Sequence, residues 1–256
     1  MTEELYTKAI AVTITVRLNA AVIYEDEEIV VACKPSGMPS VPGLDGRESL
    51  QEWLEKELQI PVISVHRLDM DTSGVIVFAK NSHAEISLNK QFEEHTVKKT
   101  YMARLSPADT HRFVGEIPLL KAGDKGIIDL PLSPDYDERP RQKVDPAQGK
   151  NSLTEYEVVS INEDGSTDIL FHPHTGRTHQ LRVHCAHMGH PIAGDPQYGS
   201  WESQLFFATL GLTHQMLCAK ELEFQQATIQ LNLAKRRLEL NSIINENDLK
   251  IQQIRV

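Results

Sequence analysis

The chain has 256 residues, of which 40% are hydrophobic and 24% charged, and its formal net charge is −10. This composition is typical of one large globular domain or two small ones, and the negative charge argues against indiscriminate binding of nucleic acid, which depends on neutralising phosphates. No apolar run is long enough to span a membrane, and the N-terminus lacks the basic start of a signal peptide. The three cysteines are widely spaced, which favours buried free thiols over a disulfide framework or a zinc site. We therefore expect a cytoplasmic protein with no membrane partner.

Runs of apolar and often β-branched residues predict strands along most of the chain. They lie at 10–18, 29–33, 61–65, 75–79, 98–105, 154–159, 167–171, 216–219 and 228–233. The runs at 154–159 and 167–171 predict a hairpin that turns at Glu163-Asp-Gly165. Between 106 and 150 prolines and glycines are frequent, so only short strands and turns are expected there.

Apolar residues at helical spacing predict four helices. They lie at 49–58, 82–95, 177–188 and 201–210, and the polar end of the chain from 235 is a further candidate. Two of these helices are expected to begin with a capping box, in which Ser49 is followed by Glu52 and Ser82 by Glu85.

The most informative segment is His66-Arg-Leu-Asp-Met-Asp-Thr-Ser-Gly74, which lies between two predicted strands. A charged turn between buried strands exposes Asp69 at the end of a sheet, where a rigid scaffold supports it. Arg67 and the hydroxyl groups of the turn would keep this carboxylate ionised and oriented. Asp69 is thus a candidate nucleophile or general base, and an aspartate that only caps backbone amides of its turn is the alternative.

Two other chemistries fit the residues less well. Asp71 offers a second carboxylate, as a glycosidase would need, but it is expected only to shape the turn. Histidines at 172, 174, 179, 184, 187 and 190 suggest a metal site. However, the HExxH motif does not occur and the segment 177–188 contains no carboxylate to complete such a site, so packing and hydrogen-bonding roles are favoured and no metal is predicted.

Four further motifs accompany residues 66–74. They are Lys34-Pro-Ser-Gly37, Lys98-Lys-Thr-Tyr101, Thr175-Gly-Arg-Thr-His-Gln-Leu-Arg-Val-His184 and Gly189-His-Pro-Ile-Ala-Gly-Asp195. The joint occurrence of these motifs in this order closely resembles the RluA family of pseudouridine synthases. The resemblance covers residues 21–233. We therefore expect a catalytic domain over this range, an N-terminal extension with a strand at 1–20, and a polar tail at 234–256.

The resemblance implies an α/β (α+β) fold with a mixed, largely antiparallel central sheet, flanking helices and an active-site cleft. It also implies an enzyme that isomerises specific uridines of structured RNA to pseudouridine with no metal or other cofactor. By position, Asp69 is the catalytic aspartate, Arg177 its basic partner, and Tyr101 the aromatic side chain that stacks on the target base. Arg67 matches a residue that fills the gap left by the flipped nucleotide, and Leu181 matches the wall of the base pocket. A base that must leave its stack to react accounts for the aromatic and cationic groups.

The resemblance also bears on how RNA is bound. No separate RNA-binding domain of the S4 type is expected, so RNA contacts should come from basic residues of the catalytic domain. The candidates are Lys98, Lys99, Arg139, Arg141 and Lys143. The segment 139–143 is similar to that of family members that act on both rRNA and a tRNA anticodon stem-loop, and a monomer is expected. A non-catalytic RNA-binding or RNA-remodelling protein on the same fold is the alternative.

Overall fold

The computed structural model describes residues 19–108, 119–209 and 214–224. The chain divides into two compact units, the first of Met1–Val97 with Ala219–Val256 and the second of Lys98–Cys218. The strands predicted at 10–18 and 228–233 and the helix predicted from 235 lie outside the described residues, and the predicted domain bounds stay a prediction. Within the described part of the chain, no helix is long and apolar enough to cross a membrane.

The first unit is built around a strand whose residues are all buried. This strand is β2 (Ile29–Lys34), which pairs antiparallel with β1 (Ala21–Glu25) and β4 (Ser73–Ala79). A short β3 (Ile63–Ser64) also pairs antiparallel with β4, and β11 (Leu217–Glu223) follows β4 in the strand order. The predicted strands at 29–33 and 75–79 are confirmed, because continuous β-branched runs suit strands that are covered on both faces.

Two helices lie within the described residues of the first unit, and both begin with a polar cap. Helix α1 (Leu50–Leu58) has the predicted capping box of Ser49 and Glu52. Helix α2 (Ser82–Glu93) does not begin as predicted, because Asn81 is its N-cap and accepts a hydrogen bond from the backbone N–H of Ala84 at 2.9 Å. The capping box expected at Ser82 is therefore wrong by one residue: asparagine already supplies the side-chain oxygen that the first turn needs.

The second unit contains an antiparallel sheet in the order β5-β10-β9-β6. These strands are β5 (Lys98–Leu105), β6 (Lys125–Asp129), β9 (Leu153–Ile161) and β10 (Thr167–Pro173). The predicted hairpin is confirmed, with the N–H of Gly165 donating to the carbonyl of Asn162 in its turn. Two further strands, β7 (Leu132–Pro134) and β8 (Gln142–Val144), form a separate two-stranded sheet, which we call the β7–β8 hairpin (residues 132–144).

The part of the second unit that the structure describes also contains two helices, α3 (Gln180–His187) and α4 (Trp201–Thr209). Leu181 and Cys185 of α3 pack into a buried cluster with Ala103, Ile169 and other apolar residues of the sheet. Helix α3 begins three residues later than predicted. The backbone of His179 is left-handed, with φ 55°, and a residue in that conformation cannot continue a right-handed helix.

These elements confirm the predicted fold class, in which largely antiparallel sheets are flanked by helices. The predicted character of the cysteines is confirmed for Cys33 and Cys185, which are buried free thiols, whereas the free thiol Cys218 is only partly buried. Burial raises the pKa of the Cys33 thiol. Cys33 is therefore an inert core residue, since only the thiolate reacts readily.

Candidate active site

The segment 66–74 contains most of the connection between β3 and β4 in the first unit, together with the first two residues of β4. His66 anchors its start: Nε2 accepts the backbone N–H of Val77 at 3.1 Å, and the imidazole ring stacks on Phe92 with 4.6 Å between ring centroids. An imidazole nitrogen that accepts a hydrogen bond is unprotonated, so His66 is neutral in this arrangement. The first residue of the motif is therefore a structural support rather than a reactive group.

Asp69 lies at the tip of this connection. The backbone N–H of Thr72 donates to the carbonyl of Asp69 at 3.1 Å and closes a turn. Asp69 is partly exposed, Arg67 is exposed, and Leu68 between them is buried. Burial of the leucine anchors the turn to the core, and it leaves the side chains of Arg67 and Asp69 at least partly accessible to a bound molecule.

The segment that follows β2 holds the backbone of this turn, and we call it the 34–40 loop. Ser40 Oγ donates to the carbonyl of Leu68 at 2.9 Å and accepts the N–H of the same residue at 3.1 Å. Ser36 Oγ donates to the carbonyl of Asp71 at 2.7 Å. The carbonyl of Met70 accepts the N–H of Gly37 at 2.9 Å. The backbone of Leu68 and the carbonyl of Met70, one residue on each side of Asp69, are thus held by groups of the 34–40 loop.

Lys34 is the least expected member of this arrangement, because it is fully buried. Its ammonium group donates to the carbonyls of Met70, Met38 and Pro35 at 2.8, 2.7 and 3.1 Å. Burial lowers the pKa of Lys34 from 10.5 to about 8, although the carboxylates of Asp71 and Asp69 oppose this shift. The ammonium is therefore a fixed positive charge beneath the turn at neutral pH.

Sequence reasoning missed the role of Lys34, which had been noted only as part of a motif. A signal was nevertheless present. Lys34 ends a run of five apolar residues and comes directly before Pro-Ser-Gly. A lysine at the end of a buried strand must satisfy its ammonium with oxygen atoms nearby, and the loop that follows supplies them.

Gly74 ends the motif and has a steric role. Its φ is +110°, and a Cβ at this position would lie 2.2 Å from the carbonyl oxygen of Ala219 in β11. That distance is shorter than any non-bonded contact of a real Cβ. The two backbones approach so closely that only glycine fits, which explains why the motif ends in this residue.

In the second unit, Arg177 lies in the turn before α3 rather than in the helix itself. Its backbone N–H donates to Gln180 Oε1 at 3.0 Å, and the Thr175 hydroxyl donates to the same oxygen at 2.7 Å. The amide nitrogen of Gln180 donates in turn to the carbonyl of Leu153 at 3.1 Å and to Thr154 Oγ1 at 2.9 Å. Gln180 is buried, so it ties the turn to β9, a role that sequence reasoning did not assign.

The side chain of Arg177 is exposed, and its Nε donates to the carbonyl of Asn151 at 3.1 Å. Lys99 lies beside the same turn, with its ammonium 3.2 Å from the carbonyl of Thr175. Burial lowers the pKa of Lys99 to about 8. Two cationic side chains therefore stand at one turn of this unit.

Tyr101 follows two residues after Lys99 in β5, and side chains two residues apart lie on the same face of a strand. Its strand partner is Phe171 of β10. Tyr101 is partly buried and packs against the cluster that contains the buried Leu181. Within the second unit, the structure thus places the predicted aromatic residue and the predicted pocket-wall residue against one cluster.

The predicted RNA-binding residues Arg139, Arg141 and Lys143 lie on the β7–β8 hairpin. Arg139 is exposed and its guanidinium lies 5.0 Å from the centroid of the Tyr136 ring. Arg141 is less accessible: it forms an ion pair with Glu138 and stacks on Tyr198 at 5.2 Å. Lys98 is exposed at the start of β5.

Acidic residues offset the charge of the hairpin. Residues 135–143 contain three acidic and three basic side chains, so their formal charges sum to 3 − 3 = 0. Lys143 Nζ lies 3.9 Å from Asp135 Oδ1. The hairpin is therefore a mixed-charge surface on which Arg139 and Lys143 are the more exposed cations.

Four of the histidines considered for a metal site, at 172, 174, 179 and 184, have polar partners within the protein. His184 is buried, with Nδ1 3.1 Å from Thr154 Oγ1 and Nε2 3.3 Å from the carbonyl of Leu130. Burial lowers the pKa of His184 to about 4, so this ring is neutral at pH 7. His174 lies 3.0 Å from Glu155. Among the described residues, no group of three or more His, Cys, Asp or Glu side chains is arranged to hold a metal ion.

Comparison with known proteins gives a consistent result. The family model described as RNA pseudouridylate synthase matches residues 28–187. The dual-specificity RNA pseudouridine synthase RluA of Yersinia pestis is 45% identical over 205 residues, which cover 79% of this chain and 93% of that protein. The protein of the same name in Escherichia coli strain K12 is 42% identical over 202 residues, covering 77% of this chain and 84% of that protein.

Solved structures agree with this match. The human RNA pseudouridylate synthase domain containing 1 superposes with a TM-score of 0.65 at 28% identity, covering 82% of this chain and 80% of the human chain. The human domain containing 4 has the same fold, with a TM-score of 0.59 at 22% identity over 96% of this chain and 98% of that chain. From the matched motifs, the fold and the similarity over most of its length, the chain belongs to the family of RNA pseudouridylate synthases.

Proposed function

We propose that this enzyme converts uridine to pseudouridine in both rRNA and tRNA, with Asp69 as the reactive carboxylate. The relatives at 42–45% identity are named dual-specificity enzymes, and this supports two RNA classes as substrates. In the reaction the bond between N1 of uracil and C1′ of ribose breaks, and a bond between C5 of uracil and C1′ forms. The proton on C5 is replaced by one on N1, so the product is an isomer of the substrate.

The observation that carries the proposed role of Asp69 is the set of hydrogen bonds from the 34–40 loop. Backbone groups on both sides of Asp69 are held in place while its side chain stays partly exposed. A carboxylate that acts as a nucleophile or a general base needs this combination, because it must meet one atom of the substrate in a fixed orientation.

The remaining site residues are assigned on the same basis. Arg177 supplies a cation held by a rigid turn, and Tyr101 supplies an aromatic face for a base that has left its stack. Leu181 forms part of the wall of the base pocket, and Arg67, which is exposed beside Asp69, occupies the gap in the RNA stack. Basic side chains that neutralise phosphates bind the RNA backbone. These are Lys98, Lys99, Arg139, Arg141 and Lys143.

The proposed function also includes a cytoplasmic location and action as a monomer. An enzyme that modifies rRNA and tRNA must be in the compartment where those RNAs are made and used, which supports the cytoplasmic location. One subunit contains every residue assigned above, which supports action without a second copy.

The proposal is tested with purified protein, transcripts of rRNA and tRNA, and a chemical assay for pseudouridine. Asp69→Asn keeps the shape of the side chain and removes its charge, so the rate should fall by at least about 100-fold. Asp71→Asn is the matched control, because its carbonyl still accepts from Ser36, and its rate should stay within about threefold of wild type.

Two results would contradict the proposal. Wild-type activity in Asp69→Asn would remove this residue from the reaction. Absence of pseudouridine on either RNA class with wild-type protein would remove that class as a substrate. Retention of RNA binding by both variants distinguishes a catalytic defect from loss of the fold.

A further inference from the structure

Tyr198 is a buried tyrosine between two arginines of the second unit. It is 4% exposed, and its ring lies 5.0 Å from the guanidinium carbon of Arg182 and 5.2 Å from that of Arg141. A ring between two guanidinium groups is held by cation–π attraction on each contact. The position of the ring is therefore well defined.

The hydroxyl group of Tyr198 joins two segments of the unit. It accepts the backbone N–H of Gln142 at 2.8 Å and lies 2.8 Å from Nδ1 of His179. Its single proton points to Nδ1 when that nitrogen is unprotonated, so both interactions form together. Gln142 lies in β8 between Arg141 and Lys143, and His179 is the N-cap of α3, two residues after Arg177.

The other side of Tyr198 is fixed to α3. Asp195 forms a buried ion pair with Arg182 through two hydrogen bonds of 2.7 and 2.9 Å. Asp195 Oδ1 also accepts the backbone N–H of Tyr198 at 3.0 Å and that of Gln197 at 2.9 Å. A buried pair that is fully hydrogen-bonded resists rearrangement. The backbone of Tyr198 thus has a fixed position relative to α3.

We propose that Tyr198 is a positioning residue that holds the β7–β8 hairpin in register with the turn that carries Arg177. The proposal rests on the proposed function. RNA that binds to the exposed cations of the hairpin is then aligned with Arg177. Contacts remote from the target uridine thereby help to orient the groups that react. The hairpin is a short two-stranded sheet, which has little stability of its own, and it needs such a link to transmit alignment.

The test uses Tyr198→Phe, which keeps the ring between the two arginines and removes only the hydroxyl group. The Kd for RNA should stay within about threefold of wild type, because the cations of the hairpin remain, while kcat should fall by about tenfold through misalignment. Tyr156→Phe is the matched control: it makes the same chemical change in a partly buried tyrosine of β9, and kcat should be unchanged.

A double-mutant cycle with Arg139→Ala distinguishes a positioning role of Tyr198 from a purely structural one. In wild type, Arg139→Ala should lower kcat as well as RNA affinity. In Tyr198→Phe, the alignment is already lost, so Arg139→Ala should lower affinity only. Strictly additive effects on kcat, or a kcat of Tyr198→Phe equal to that of Tyr156→Phe, would overturn the inference.

A second variant guards against misfolding of Tyr198→Phe. His179→Asn breaks the other end of the link, and asparagine tolerates the left-handed backbone at this position. It should lower kcat like Tyr198→Phe, and a wild-type kcat would overturn the inference. Failure of the proposed function is recognised separately, since wild-type protein would then form no pseudouridine at all.

Discussion

Ser40 gives the sharpest test of how the turn with Asp69 is held. Ser40 is 5% exposed and Leu68 is 6% exposed, and the serine hydroxyl satisfies both the N–H and the carbonyl of that leucine. Ser40→Ala leaves two buried backbone groups without a partner. Each such group costs about 1–3 kcal/mol, so the free energy of unfolding should fall by about 3 kcal/mol.

The same substitution should also affect catalysis. Leu68 directly precedes Asp69, so a loosened peptide at Leu68 allows the carboxylate to leave its productive orientation. We expect kcat to fall by about tenfold while KM changes little, because no predicted RNA contact is removed. The assay combines denaturant unfolding with steady-state measurement of pseudouridine formation.

Ser36→Ala is the matched control, because it removes a single hydrogen bond to the carbonyl of Asp71. Its effect on the free energy of unfolding should be about 1 kcal/mol. The reasoning would be refuted if Ser40→Ala were as stable as Ser36→Ala and had the kcat of wild type.

Three further predictions test separate parts of the structure. Gly74→Ala should lower the free energy of unfolding by more than about 4 kcal/mol, because the new Cβ would meet backbone atoms. Gly37→Ala, where φ is +82° and the space is open, should lower it by only about 1–2 kcal/mol. Equal losses of the two variants in denaturant unfolding would contradict the steric role of Gly74. The folded chain releases the Lys34 proton at a pKa of about 8 and the unfolded chain at the ordinary 10.5, so the unfolded state binds more protons in this interval. The free energy of unfolding of wild type should therefore increase relative to that of Lys34→Met as the pH rises from 8 to 10.5. If the two free energies changed in parallel with pH, the lowered pKa of Lys34 would be excluded. In RNA-binding titrations, Arg139→Ala should reduce the slope of log K against log salt concentration by about 1. Arg141→Ala should reduce this slope by less, because Arg141 is already paired with Glu138. A larger reduction in Arg141→Ala than in Arg139→Ala would place the RNA contact on Arg141.

Local patterns were sufficient to predict many elements. The run of residues at 98–105 predicts β5 with the bounds that the structure has, Lys98–Leu105. The capping box at Ser49 predicts the start of α1, and the hairpin of β9 and β10 follows from two strand patterns joined by a glycine turn. In each case neighbours in sequence determine the structure.

The start of α3 could not be read from local patterns. It depends on the buried amide of Gln180, which binds Thr175 and Arg177 on one side and β9 on the other. Its partners in β9, Leu153 and Thr154, lie 27 and 26 positions before Gln180 in the chain. Tertiary contacts of this kind override helical spacing.

The candidate site shows the same division. Asp69, Arg177 and Tyr101 are predicted from motif resemblance, because their residue types and order are distinctive. Lys34 was missed as a support, since only the fold brings its ammonium group to the carbonyl of Met70, 36 residues later. The near-neutral charge of the β7–β8 hairpin, by contrast, was available from the sequence, where three acids accompany the three bases.

The most direct test of the central claim is complementation of a strain that lacks this gene, with pseudouridine mapped in total RNA by carbodiimide-blocked primer extension. The wild-type gene should restore specific pseudouridines in rRNA and in tRNA, and the Asp69→Asn gene, expressed at the same level, should restore none. Restoration of the same sites by Asp69→Asn would contradict the claim that this carboxylate carries out the reaction.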